Sequence, residues 1–218
     1  TAAITVDESA ATENDLKVGM KVTIEAVKNI AISISFDPEI KGRVSSIGAN
    51  SFDVLGQTVS VNSETNFCLE DERDNCSFSF SDLEEDDFIV VSGFFDSNGN
   101  LVATLVAKED TDPGEYQIKG TVESLDTINK IIIIIGLTVQ YGGISSPPSL
   151  AYGMFVEVEG TLNAQDEIEA SKIEIEDSAE EDGQELDVEG IITEKISFSD
   201  FVVNRQRVHI DSQTRFRN

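Results

Sequence analysis

The sequence predicts an all-β chain of tandem small five-stranded barrels with partial repeats at both ends, and three observations carry that expectation. Leu16, Leu83 and Leu150 stand 67 residues apart, as do Ala26, Gly93 and Gly160. Lys41-Gly42-Arg43-Val44, Lys119-Gly120-Thr121-Val122 and Glu189-Gly190-Ile191-Ile192 each open an apolar, alternating run, so each marks the start of a module. Val59-x-Val61-x-x-x-Thr65-x-Phe67 returns as Val208-x-Ile210-x-x-x-Thr214-x-Phe216, with a weaker echo in Ile4-x-Val6-x-x-x-Ala10.

In order, residues 1–39 read as the back half of a β module, 40–112 as a complete module, 113–178 as a second, 179–185 as an acidic linker, and 186–218 as a front half. Alternation and β-branched content place the first module's strands at Ile40 to Ile47, Ser51 to Leu55, Gln57 to Val61, Phe88 to Phe95 and Leu101 to Lys108. The second module's strands are Gln117 to Leu125, Lys130 to Ile135, Leu137 to Tyr141, Met154 to Leu162 and Glu167 to Ile175. Asn98-Gly99 signals a tight turn between the last two strands of the first module. The spacing of five short strands suits an OB-like barrel, with an SH3-like barrel as the alternative. Leu16, Leu83 and Leu150 close polar loops, where each can plug a barrel end. A half module leaves apolar faces and strand edges uncovered. Three explanations compete: a piece of a longer array, closure of the two halves on each other, or pairing with neighbouring molecules.

The Gly42-x-Val44 opening, the Phe52-x-Val54 and Val59-x-Val61 strands, the Leu16-x-x-Gly19 turn, Val156-x-Val158-x-Gly160 and Leu101-x-Ala103-x-x-Val106 together resemble the bacterial domain of unknown function 5666. The likeness covers nearly the whole chain, twice in full and twice in part. It implies tandem modules in exported bacterial proteins and implies no activity. Ala26 in place of Gly, and Asp86 where Gly19 and Gly153 stand in the other units, depart from the pattern.

From Gly42 to Leu83 is 41 residues, against 30 from Gly120 to Leu150, so the first module carries about eleven extra residues within roughly Asn66 to Phe80. Both cysteines lie there. A Cys68–Cys76 disulfide would close a short loop, stabilise by about 2 to 3 kcal/mol in the chain-entropy model, and favour an oxidising, extracytoplasmic compartment. A zinc site on two cysteines lacks further ligands nearby. Within the loop, Glu70, Asp71, Glu72 and Asp74 could converge oxygen ligands on Ca²⁺, against the plainer reading of a solvated charge run. Asp82 to Asp87 and Glu176 to Glu185 form two more acidic clusters, with the same alternatives.

The net charge of -27, from 42 acidic and 15 basic residues, repels other polyanions and makes nucleic acid a poor partner. The apolar run from Ile131 to Ile135 is too short for a membrane helix. His209 is the single histidine, and no Ser/His/Asp set, P-loop or dinucleotide fingerprint can be assembled, so no catalytic residue and no enzyme are expected. Arg205, Arg207, Arg215 and Arg217 are four of six arginines. They read as partners for acidic groups of an adjoining module, or as a contact for an anionic glycan or another copy. A non-catalytic scaffold or interaction module, periplasmic, outer-surface or secreted, is therefore expected, whose partners are other protein modules or copies of itself. The alternatives are a barrel that binds an oligosaccharide or small ligand, and a calcium-dependent surface assembly module. Clustered exposed tyrosines would favour the ligand reading; tyrosines in the cores would favour the scaffold.

Overall fold

The computed structural model describes residues 2–27, 30–70, 72, 76–96, 99–176, 192–195, 197, 199–203, 206–210 and 214. An N-terminal sheet holds β1 (Ala3–Val6), β2 (Ser9–Ala11), β3 (Val22–Val27) and β4 (Ile30–Phe36) in the order β2-β1-β4-β3, with β1 parallel to β4. Then follow β5 (Ile40–Ile47), β6 (Ser51–Val54), β7 (Gln57–Ser60), β8 (Asn66–Leu69), β9 (Phe88–Phe95) and β10 (Leu101–Lys108). β5 pairs with β6, β6 with β7, β7 runs parallel to β10, β10 pairs with β9, and β9 returns to β5. Taken by position in the module, that closed circuit runs 1-2-3-5-4, with one parallel pair. It is the OB-like order, which resolves the alternative left open by the sequence.

The second barrel repeats the circuit with β11 (Tyr116–Asp126), β12 (Ile131–Ile134), β13 (Leu137–Gln140), β14 (Phe155–Leu162) and β15 (Ile168–Ile175), where β13 is parallel to β15. β5 and β11 pair antiparallel at Ile40 and Ile118, joining the two barrels into one sheet. A separate antiparallel meander follows: β16 (Ile192–Lys195), β17 (Asp200–Val203) and β18 (Gln206–His209).

Local chemistry explains the geometry. The β6–β7 and β12–β13 hairpins turn through Leu55-Gly56 and Ile135-Gly136, both residues of each pair having positive φ as a two-residue hairpin requires. These hairpins fold over the first strand of their own barrel. A Cβ at Gly42 would lie 3.1 Å from Leu55 Cγ, and one at Gly120 would lie 2.4 Å from Ile134 Cγ2. The Lys-Gly opening is thus a seat for the hairpin. Alternating residues of both barrels fill one continuous apolar core, with Val54, Val59, Ile89 and Val91 matched by Ile134, Val139, Val156 and Val158, all buried. Leu83 lies in that core and Leu150 packs against it.

Two expectations change. Asn66–Leu69 form a strand, β8, because the far end of β10 offers an unpaired edge beyond β7. The echo of Ile4-x-Val6 in Val59-x-Val61 gives way to a different equivalence. β1 pairs with β4 from Ser33 to Phe36 as β8 pairs with β10 from Leu105 to Lys108, so Ile4 occupies the place of Phe67. The turn Thr12 to Leu16 likewise repeats Ser79 to Leu83: in each, the carboxylate of Asp15 or Asp82 accepts from the backbone N–H of Thr12 or Ser79.

Candidate functional site

The N-terminal sheet packs on the first barrel through the loop before β3. Lys21 N–H donates to Ser92 Oγ at 2.8 Å, and Thr104 Oγ1 donates to the Gly19 carbonyl at 2.6 Å. Between them lies a cleft of about 610 Å³, with Val6, Met20, Phe36 and Val90 among its apolar walls and Asp7, Lys41, Glu70 and Glu109 among its charged groups. The volume is that of a small-molecule pocket. Lys41 Nζ pairs with Asp7 at 2.6 Å. Burial first, and then the charge of the neighbouring Glu70, push the Glu109 carboxyl up to about 7, so near neutral pH it exchanges a proton beside a second carboxylate. The lining residues include no serine, cysteine or histidine, so a proton relay is the chemistry this group can offer.

A second charged cluster joins all three units. Lys119 Nζ, nearly inaccessible on β11, contacts Asp37 from the segment after β4, Glu157 on β14 at 2.9 Å and Glu176 after β15 at 3.5 Å. The three carboxylates lie within 4.8 Å of one another, a spacing that could hold a metal ion, and the Lys119 ammonium supplies the cation among them. Burial, together with the hydrogen bond to Asp37, pushes Glu157 up to about 8. Burial works to raise Asp37 too, but the hydrogen from Glu157 and the charge of Lys119 outweigh it and hold Asp37 low. Buried Gln117 donates to Asp37 and to the Pro38 carbonyl, both at 3.0 Å, which fixes the segment between the N-terminal sheet and the first barrel.

The Cys loop is closed by a Cys68–Cys76 disulfide with the Cα atoms 4.6 Å apart. Its two described glutamates have protein partners. Glu72 accepts from the backbone N–H of Leu69 and Ser77 and from the Ser77 hydroxyl, and Glu70 faces Glu109. Lys17 Nζ donates to the carbonyls of Leu69, Glu70 and Glu72, so an ammonium already occupies the ring of carbonyl oxygens beside this loop. Asp71 and Asp74, Arg205, Arg215 and Arg217, and the 179–185 linker lie outside the described residues. Arg207 and His209 stand on β18, in the separate meander.

The Lys119 cluster and the cleft carboxyl pair escaped sequence reasoning because their members are up to 139 positions apart, as Asp37 and Glu176 are. A signal was nevertheless present. Lysine precedes the opening glycine in both complete modules, as Lys41 and Lys119, and an acid follows the last strand of each unit, as Asp37, Glu109 and Glu176. Tyr116 and Tyr141 are buried in the barrels and Tyr152 is 79% exposed.

Compared with known families, the chain matches the profile described as Domain of unknown function (DUF5666) over residues 41–107, 119–174 and 189–218. Neither the curated proteins nor the solved structures contain a match.

Proposed function

Starting from the chain's membership of the domain of unknown function 5666 family, whose unit it repeats, we propose that it is a non-catalytic scaffold or interaction protein of tandem barrels in an exported bacterial protein. The observation that carries this reading is where the strongest electrostatics lie. The Lys119 cluster sits at a junction and locks the segment before the first barrel to the second barrel, rather than facing an open site. Breaking a buried charge set by removing one member costs about 3–5 kcal/mol, so the cluster holds the units in fixed relation. Two of the three tyrosines serve cores, and Tyr152 alone is exposed, so no aromatic platform for sugar rings is assembled from them. The Cys68–Cys76 bond supports an oxidising, extracytoplasmic location. Among the described residues, no helix is long and apolar enough to cross a membrane.

Affinity electrophoresis through gels containing neutral or anionic polysaccharides, run beside turnover assays on chromogenic esters and glycosides, tests this reading. The scaffold expectation is unretarded migration and no turnover. Retardation lost on Tyr152→Ala, or hydrolysis lost on Glu109→Gln, would replace it with a ligand-binding or catalytic barrel.

A further inference from the structure

Among the described residues, the β1–β4 sheet repeats the back half of a module and the β16–β18 meander repeats the front half of one. In the N-terminal sheet, Ala26 faces Ala31 with a bulge beside the pair, as Gly93 faces Ala103 and Gly160 faces Ala170. That register places Val22, Ile24 and Ile34 where Ile89, Val91 and Val106 lie in the first barrel and Val156, Val158 and Ile173 in the second. Those six are buried, whereas Ile24 is 52% exposed. β3 is the edge strand of its sheet, although its counterparts β9 and β14 each pair with the first strand of their module.

The meander has the register of a module's first three strands. β16 shifts register against β17 between Ile192 and Glu194, as β5 shifts against β6 between Val44 and Ser46, and β11 against β12 between Val122 and Ser124. Phe201 faces Val208 as Phe52 faces Val59 and Ile132 faces Val139. Even the closing backbone bond repeats: Ile210 N–H donates to the Ser199 carbonyl at 2.7 Å, and Val61 N–H to the Asn50 carbonyl at 3.0 Å. Ile192, Phe201, Val203 and Val208 therefore hold the register positions of Val44, Phe52, Val54 and Val59, four buried core residues. In the structure β16–β18 pair only with one another among the described strands.

Charge fits the same match. Residues 1–39 carry seven acids and three lysines, whereas residues 186–218 carry five acids and five basic residues, with all four arginines between residues 205 and 218. The arginine-rich end of the second half is drawn to the acidic first half and offsets part of the general repulsion between copies.

We infer that the β16–β18 meander of one copy seats on the open β3–β4 face of a second copy, β16 adding to the β3 edge and β18 running parallel to β4, so that a barrel forms between two molecules. This rests on the scaffold reading and gives it a partner: the chain itself, joined head to tail. Two copies can exchange both contacts and close as a dimer, or each can pass its meander onward and form a chain of molecules.

Light scattering on the size-fractionated full chain at about 1 to 100 µM tests the inference. The expected mass rises with concentration above the 23.7 kDa of a single chain. Ile24→Asp, at an already exposed position, is expected to weaken association about 100-fold, and Val208→Asp to do the same from the other side. Each variant alone runs as a monomer, and their equimolar mixture forms a one-to-one dimer, since each brings one intact half. If Val208→Asp unravels the meander it still supplies an intact open face, so the mixture remains decisive. A wild-type monomer at every concentration, or an oligomer indifferent to both substitutions, would overturn this pairing. Neither result bears on the scaffold reading, which the polysaccharide and turnover assays decide.

Discussion

The N-terminal sheet and the first barrel carry the same back-half strands, and the difference between them is cover. Val91 on β9 is inaccessible with β5 lying against its strand; Ile24 holds the same register position on β3 and is 52% exposed. At Gly93, a Cβ would fall 2.3 Å from the Val102 carbonyl oxygen, whereas the equivalent Ala26 carries its methyl in an exposed strand beside the same bulge. One strand pattern thus gives a core in one unit and an open face in another, and packing, not propensity, decides which.

The largest expected effect follows from that steric contrast. Gly93→Ala forces β9 and β10 apart at their bulge and should cost about 3 kcal/mol, whereas Ala26→Gly should cost only about 0.5–1 kcal/mol through backbone entropy. Paired urea melts measure the two directly. Equal costs would mean that the N-terminal sheet is as tightly built as the barrel. The next contrast is Val91→Ala against Ile24→Ala. The first empties core volume at about 2 kcal/mol; the second should change a monomeric sample by less than about 0.5 kcal/mol. A large loss from Ile24→Ala that grows with protein concentration would show the open face to be covered in solution.

Much of this architecture was legible. β5, β9 and β10 begin and end where alternation and β-branched residues placed them, because their patterns are strong and their turns carry glycine. β8 was not, since Asn66–Leu69 gain strand geometry only from the free edge of β10, a partner some forty residues away. The cleft was less legible still. Asp7 and Glu70 become equivalent only once β1 is seen to take the place of β8, and Glu109 becomes unusual only when the N-terminal sheet covers it. Lys119 reads as a surface residue until Asp37, from another unit, is brought to it.

That cover predicts a pH effect. Glu109 is raised to about 7 in the folded chain from an ordinary 4.5, so between those values the folded protein holds a proton that the unfolded chain releases. Stability therefore falls as pH rises through that window, by at most about 1.4 kcal/mol per pH unit for one proton. Below the window both states are protonated, and above it both are ionised. Glu109→Gln should remove one proton's share of the slope in thermal melts between about pH 4.5 and 7, leaving the share of Glu157, which is raised to about 8. An unchanged slope would mean that the cleft is wet and the N-terminal sheet does not seal it.

The smallest effect tests a single turn position at which the first barrel departs from the units on either side. Gly19, Asp86 and Gly153 share a repeat position, and all three have positive φ, at 97°, 70° and 85°. The backbone needs that geometry: Asp86 N–H donates to the Val44 carbonyl at 2.9 Å, just as Gly153 N–H donates to Val122. An L-residue there is strained, though aspartate tolerates the left-handed region better than most, and glycine's greater freedom in the unfolded chain offsets part of any gain. Asp86 also stands within the run from Asp82 to Asp87, so its removal lowers like-charge repulsion in the native turn. Asp86→Gly should therefore stabilise by about 0.5 kcal/mol, a rise in Tm of about 1–2 °C for a chain of this size. The charge contribution is separable because salt screens it. If the gain persists at high ionic strength, the relieved strain is backbone, and the first barrel carries a small local cost that its neighbours avoid; if it vanishes, the turn is as relaxed with aspartate as with glycine.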